Sequence, residues 1–378
     1  MRIKSAYKSI NGDYVFAKCI ERAKEYSLNG EKELIDLSVG DVVIPPIKAV
    51  RSALKKQTAK YFKKGGFSGY PPDEGIFELR AAVSGYYAGC GAEVLPEEVF
   101  ITSGAKPALS DLTDLAEFDN AVVQSPVYPL YGELCAAKKI KTQTFDDLAL
   151  ISRNKPAADL TFLCSPCNPT GKSETAARLK QLIRSALSVS GEVIVDGAYA
   201  AFMKNYFCPF LIDGAEKCVV EVRSYSKSLS FTGLRCGYVV IKKQNPLYEP
   251  YKKLLSLKYN GVNVPVQKAA LAAYSRAGER QLKKRIDYYL KNAEILARPF
   301  RNCTGYAEEH GEAPYVFVKT PIDGGTFAEK LLDEEGVLVC PGGAFGNKNS
   351  VRLSCLCMKS AAKAAAKRIA RFLTRNEF

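Results

Sequence analysis

Lys227 has the best-defined chemical surroundings of any lysine in the chain. It closes the run Ser224-Tyr225-Ser226-Lys227, and Arg235 follows eight residues on. An imine-forming amine, two small hydroxyls and a guanidinium at this spacing can hold an aldehyde cofactor that carries a phosphate. The preceding run, Cys218-Val219-Val220-Glu221-Val222-Arg223, alternates and is rich in Val, so it reads as a buried strand. The segment 229–240 is a Gly-punctuated loop running into another strand. Positive charge beside a lysine pushes its pKa down and frees the amine for imine chemistry. Taken alone, however, Lys227 is one of 54 basic residues, and a solvated lysine is the simpler reading.

Three other segments change that weighting. In Ser165-Pro166-Cys167-Asn168-Pro169 the prolines hold Asn168 rigidly at the end of an apolar run, where its amide can donate to a phenolate oxygen. In Val193-Ile194-Val195-Asp196-Gly197-Ala198-Tyr199 a strand ends in a carboxylate that can keep a pyridine nitrogen protonated, although an Asp there can equally cap a helix. In Thr102-Ser103-Gly104-Ala105-Lys106 a strand runs through a Gly turn into a helix start, whose free N–H groups suit a phosphate. Each signal is weak alone; the four in this order are strong.

The elements that must position these residues alternate in period. Helices are expected over 74–87, 107–116, 131–138 and 174–188, with strands at 99–103 and 121–124 and near Leu160 and Val193. Repeated βα units imply a mostly parallel sheet covered on both faces, with ligands beyond the strand ends. One or two long helices over 269–297 lead to a mixed region of strands (315–319, 337–340, 350–354) and helices (326–334, 361–373), which suits a smaller α+β domain.

Composition excludes several functions. The 378 residues are 47% hydrophobic, with no run near the ~20 apolar residues of a membrane span and no N-terminal secretory pattern, so a soluble cytoplasmic protein is expected. The twelve cysteines lie mostly in apolar runs and read as reduced core thiols. Cys164 and Cys167 have metal-ligand spacing without a second pair, so no metal is expected. The single histidine, His310, sits in what reads as a polar loop, which argues against Ser-His or Cys-His nucleophiles. The net charge of +14 is spread along helices; it reads as a lysine-rich solvated surface with some attraction for dicarboxylates, and no nucleic-acid or membrane partner is expected.

These motifs resemble the fold-type I pyridoxal-phosphate (PLP) aminotransferases over nearly the whole chain. Within that family the chain is most similar to the LL-diaminopimelate aminotransferases. The closer match rests on Tyr14-Val15-Phe16, the segment 35–42, Gly69-Tyr70-Pro71-Pro72, Gly104-Ala105-Lys106, Tyr259-Asn260-Gly261-Val262, 313–321 and 341–346. The resemblance implies an α/β large domain over 41–268, a small α+β domain from 1–40 and 269–378, and a homodimer with shared active sites. It makes Lys227 the Schiff-base lysine and proton carrier, Asp196 the partner of the pyridine nitrogen and Tyr128 the ring that stacks on the cofactor. Asn168 and Tyr199 would bond the cofactor's 3-oxygen. Ala105, Lys106, Ser224, Ser226 and Arg235 would hold the phosphate. Arg352 and Gly40 would take the substrate α-carboxylate, with Tyr14, Lys106 and Asn168 also near substrate. Tyr70, Asp73 and Asn260 would face the active site of a second subunit. The implied reaction exchanges an amino group between glutamate and tetrahydrodipicolinate.

Two positions depart from the subfamily. Asp73 stands where it has Glu, and Ser103 where it has Asp; both bear on substrate identity more than on reaction type. A broad aspartate or aromatic aminotransferase, or a PLP-dependent C–S lyase, remains open as an alternative. A non-catalytic module of the same fold is disfavoured by the intact set Lys227, Asp196, Asn168 and Arg352.

Overall fold

The computed structural model describes residues 15–66, 69–145, 158–301 and 303–376. In chain order, β1 (Ile35–Asp36) precedes seven strands of one sheet. These are β2 (Val99–Thr102), β3 (Asn120–Gln124), β4 (Lys141–Phe145), β5 (Leu160–Cys164), β6 (Glu192–Gly197), β7 (Val219–Ser224) and β8 (Gly237–Ile241). They lie in the order β2-β8-β7-β6-β5-β3-β4. From β7 to β4 every neighbour is parallel, and only β8 runs against both of its neighbours.

A strand buried on both faces needs apolar residues at successive positions, and β5 and β6 are buried throughout. Helices cover both faces. Val220 and Val222 of β7 pack with Phe100, Phe162 and Tyr251 on one side, while Tyr225 packs with Leu79, Val83 and Tyr238 on the other. The parallel βαβ arrangement leaves the loops after β3, β5, β6 and β7 together at one end of the sheet.

Beyond this sheet lie β9 (Ala307–His310), β10 (Tyr315–Lys319), β11 (Val337–Leu338), β12 (Cys340–Pro341) and β13 (Ser350–Ser354). Strands β12-β13-β10-β9 form an antiparallel sheet, and helices Gly324–Glu335 and Lys359–Arg375 bury Phe327, Leu331, Ile369 and Phe372 against it. β1 pairs in parallel with β11, so Ile35 lies against Val337 across some 300 residues of chain.

Several expected boundaries shift for local reasons. The helix expected from residue 74 starts at Phe77, because Gly75 has φ +94° and the Glu74 carbonyl accepts from Ile101 N of β2 at 2.9 Å. The helix expected from residue 107 starts at Ala105, with Pro107 in the first turn, where its missing N–H costs nothing. The long region 269–297 is two helices, Val264–Leu271 and Arg276–Ala297, separated where Ser275 caps the second by accepting from Gly278 N at 3.1 Å. The strand expected over 337–340 divides into β11 and β12, which join different sheets. His310 ends strand β9 rather than sitting in a loop, and its Nδ1 lies 2.7 Å from Glu308. Polar β4, at the sheet edge, was not anticipated.

Candidate active site

A cavity of about 360 Å³ opens beyond the ends of β3, β5, β6 and β7, against the second sheet. Lys227, three residues past β7, lines it. The Lys227 amine donates to the Gly40 carbonyl, so the segment after β1 reaches directly to the lysine. Burial pushes the Lys227 pKa down to about 8; Arg352 and Arg235 act in the same direction, and Asp41 opposes them. The depressed pKa matches the sequence expectation, but its largest cause is desolvation rather than neighbouring positive charge.

The residues after β7 and the start of helix Ala105–Leu112 face one another. Arg235 Nη1 donates to Ser226 Oγ at 3.2 Å and to the Thr232 carbonyl at 3.1 Å, while Ser224 Oγ accepts from Ser226 N at 3.1 Å. Gly104 has φ +98°, and a Cβ there would collide with Arg235 Nη2. Glycine therefore lets a guanidinium lie directly against a helix N-terminus, an arrangement that concentrates N–H donors for an anion.

Asp196 is the penultimate residue of β6 and is buried. Its Oδ2 accepts from Tyr131 Oη at 2.8 Å and its Oδ1 from Ala198 N at 2.9 Å. Burial raises the Asp196 pKa, and these two bonds oppose the rise. Tyr131 is itself fully buried, stacked on Phe162 at 5.0 Å and edge-on to Tyr128 at 6.0 Å.

Arg352 on β13 is the largest fully buried side chain of the protein. Its Nη1 donates to Asn168 Oδ1 at 3.0 Å and its Nη2 to the Ser38 carbonyl at 2.5 Å. The guanidinium lies between the rings of Tyr315 (4.6 Å), Phe16 (4.9 Å) and Phe345 (4.9 Å). Its buried Nε has no hydrogen-bond partner among the described residues. Tyr199 Oη is 2.8 Å from Tyr315 Oη, and a Cβ at Gly40 would strike that same Tyr315 hydroxyl.

Thus the fold brings together Gly40, Ala105, Lys106, Tyr128, Asn168, Asp196, Tyr199, Ser224, Ser226, Lys227, Arg235 and Arg352 around one cavity. Tyr14 lies outside the described residues. Tyr70, Asp73 and Asn260 do not line it: Tyr70 is 85% exposed and Asp73 accepts from Ser256 Oγ at 2.8 Å. Sequence reasoning missed Phe16, Asp41, Tyr131 and Tyr315 as cavity residues. Phe16 and Tyr315 fall inside quoted segments, and Tyr131 lies in the first turn of helix Leu130–Lys138, three residues after Tyr128, so nearness in the chain was the available signal. Cys164 and Cys167 are buried, with sulfurs 3.5 Å from the carbonyls of Pro166 and Pro126. No group of three or more metal-ligating side chains occurs among the described residues, and no helix among them is long and apolar enough to cross a membrane.

A mostly parallel sheet whose strand ends gather a half-buried lysine, a carboxylate and a caged arginine defines an α/β enzyme that acts on small carboxylated substrates. Residues 32–369 match the family model for aminotransferase class I and II, and the chain belongs to that family. It is an aminotransferase. It is 33% identical over 380 residues to an LL-diaminopimelate aminotransferase of Prochlorococcus marinus (strain MIT 9515), covering 92% of this chain and 93% of the relative. It is 31% identical to one from Bacteroides thetaiotaomicron, over 91% of this chain and 92% of the relative. Among solved structures, the L,L-diaminopimelate aminotransferase from Chlamydomonas reinhardtii superposes with a TM-score of 0.90 at 26% identity, over 98% of each chain. Thermus thermophilus aspartate aminotransferase with maleate shares the fold, with a TM-score of 0.86 at 24% identity.

Proposed function

We propose that this aminotransferase uses pyridoxal 5′-phosphate and transfers the amino group between glutamate and tetrahydrodipicolinate, forming LL-diaminopimelate. The observation that carries the reading is Arg352, a buried guanidinium lining Lys227's cavity whose Nε has no partner among the described residues. A buried N–H donor without an acceptor is costly, and a substrate carboxylate would supply one.

The side chains fit the cofactor. The Gly104 turn, the N–H groups at Ala105 and Lys106, the hydroxyls of Ser224 and Ser226 and the guanidinium of Arg235 make a phosphate cradle. Asp196, held by Tyr131 and Ala198 N, suits a protonated pyridine nitrogen. Asn168 spends its oxygen on Arg352, which leaves its amide N–H₂ to donate to the 3-oxygen, with Tyr199 nearby. Tyr128 supplies a ring face. When bound, pyridoxal phosphate supplies an electron sink that stabilises negative charge at the substrate α-carbon.

The chain's own residues then hold and move the proton. Lys227, with a pKa lowered to about 8, is about one-tenth free amine at pH 7, far more than an ordinary lysine, and takes the proton from the α-carbon. Arg352 and Gly40 fix the α-carboxylate, so that the α-hydrogen faces Lys227. The cage of Phe16, Tyr315 and Phe345 excludes water from the guanidinium and strengthens its hold on an anion.

The enzyme acts as a cytoplasmic homodimer in this reading. Tyr70, Asp73 and Asn260, which do not line their own chain's cavity, would complete that of a second copy. Asp73 would meet the distal ammonium group of diaminopimelate, one methylene shorter than the subfamily's Glu.

The test is a half-reaction. LL-diaminopimelate added to cofactor-loaded protein should convert the bound cofactor's absorbance to the amine form, and 2-oxoglutarate should reverse it with release of glutamate. Conversion by aspartate or an aromatic amino acid, with none by diaminopimelate, would keep the reaction and replace the substrate. Pyruvate and ammonia from cystathionine would point to the C–S lyase instead.

A further inference from the structure

A second cavity among the described residues is larger than the one that holds Lys227. It measures about 840 Å³ and lies between the end of β7, the segment after β6 and the first half of helix Arg276–Ala297. Strand alternation separates the two cavities. Ser224 reaches the wall they share, and its neighbours Arg223 and Tyr225 on the opposite face line the larger one.

Arg223 is the unusual member of that wall. Its side chain is 7% exposed, and its Nη1 donates to Glu221 Oε1 at 3.0 Å. Glu221 is already served by two phenols, Tyr87 at 2.6 Å and Tyr206 at 2.8 Å. Arg223 has five N–H donors; one goes to Glu221 and the Tyr86 hydroxyl lies within reach of the guanidinium, so the fork keeps donors for a further acceptor. Tyr206, Tyr86 and Tyr238 enclose the guanidinium at 4.8, 5.4 and 5.8 Å. Burying such a pair in a strand is expensive, and an apolar pair would pack as well or better. None of the steps assigned to the Lys227 site uses it.

The opposite wall limits what can enter. Leu282 and Ile286 give it an apolar surface, whereas Glu279, Lys283 and Asp287 on the same helix leave one net negative charge. Lys204 lines the cavity from the segment after β6 and offsets that charge, so the guanidinium of Arg223, paired with Glu221, is the built seat for a single carboxylate. The volume falls in the range of small-molecule sites, which are apolar with a few fixed polar groups. We propose that this cavity is a second ligand site, which takes a monocarboxylate with an aromatic or branched apolar body and seats the carboxylate on Arg223.

Calorimetric titration of the cofactor-loaded protein with 3-phenylpropionate tests this. Saturable binding is expected, and it should persist in Arg352→Ala, which empties the substrate carboxylate site. Leu282→Trp fills the cavity without touching the ion pair; it should abolish binding while leaving transamination kcat unchanged in the absence of ligand. Arg223→Gln and the uncharged 3-phenylpropionamide should each weaken binding about tenfold or more. If Arg223→Gln does not fold, Leu282→Trp and the amide decide. Absence of saturable binding, its survival in Leu282→Trp, its loss in Arg352→Ala, or equal binding of acid and amide would each overturn the proposal.

Discussion

Arg352 Nη1 donates to Asn168 Oδ1 at 3.0 Å, joining residues 184 apart in the chain. The bond ties β13 of the smaller sheet to the loop after β5 of the larger one. It orients the asparagine amide and the arginine fork together, so the proposed carboxylate and 3-oxygen contacts would be set by one bond. Arg352→Lys keeps the charge but cannot span Asn168, the Ser38 carbonyl and a substrate carboxylate with a single ammonium. The expected loss is about 10- to 100-fold in kcat/KM for both amino donor and oxoacid, equivalent to roughly 1.5–3 kcal/mol. Steady-state kinetics check this; unchanged kcat/KM would move the carboxylate site elsewhere.

Lys227 titrates from a half-buried position, and its pKa near 8 lies below the ordinary lysine value of 10.5. The free amine is the form that attacks an aldehyde. Uptake of pyridoxal phosphate by the cofactor-free protein should therefore rise about tenfold between pH 7 and pH 9 and then level off. The linkage has a definite sign. Between about 8 and 10.5 the unfolded chain holds the proton and the folded one does not, so cofactor-free protein gains stability as pH rises through that window. Lys227→Met removes the half-buried cation, so it should melt higher than wild type at pH 7, by on the order of 1–3 kcal/mol given the partial exposure of the side chain, and the gap should close toward pH 10.5. A pH-independent gap would rule out the titration.

Tyr131 donates to Asp196 at 2.8 Å and holds down a carboxylate pKa that burial raises. Tyr131→Phe removes that bond, so Asp196 should protonate at higher pH. The acid limb of the kcat/KM profile should move up, and kcat should fall by about fivefold, the equivalent of one net hydrogen bond of ~1 kcal/mol. An unmoved acid limb would show that Tyr131 only fills space.

Gly104 allows Arg235 to lie against the helix start at Ala105. Gly104→Ala adds a Cβ that strikes Arg235 Nη2 at a residue whose φ is +98°. Backbone strain of about 1–3 kcal/mol and displacement of the guanidinium should lower cofactor affinity by more than about tenfold. Equilibrium dialysis of pyridoxal phosphate measures it. Unaltered affinity would remove Arg235 from the phosphate site.

The residues that fall at strand ends were legible because their local pattern and their role coincide. Val219 to Ser224 alternates, then stops at Lys227; Glu192 to Gly197 stops just after Asp196; the Gly104 turn opens a helix. In a parallel sheet those ends necessarily gather on one side, so Lys227, Asp196, Asn168 and Ala105 could be grouped without coordinates. Phe16, Tyr131 and Tyr315 were missed because each acts through a partner on another element: Phe16 on Arg352, Tyr131 on Asp196, Tyr315 on Tyr199. Tyr70, Asp73 and Asn260 carry no local signal that says which chain's cavity they serve.

By itself, then, the sequence determined which groups are candidates for the chemistry and that an α/β sheet would present them, since residue type and strand period are local properties. The tertiary structure decided the energetics. Burial, more than the positive charge of Arg235 anticipated from sequence, lowers the Lys227 pKa, and aromatic rings from three distant segments enclose Arg352. It also decided that β7 presents Ser224 toward one cavity and Arg223 toward a larger one. Desolvation and cavity shape depend on what packs from remote parts of the chain, and no local pattern carries that information.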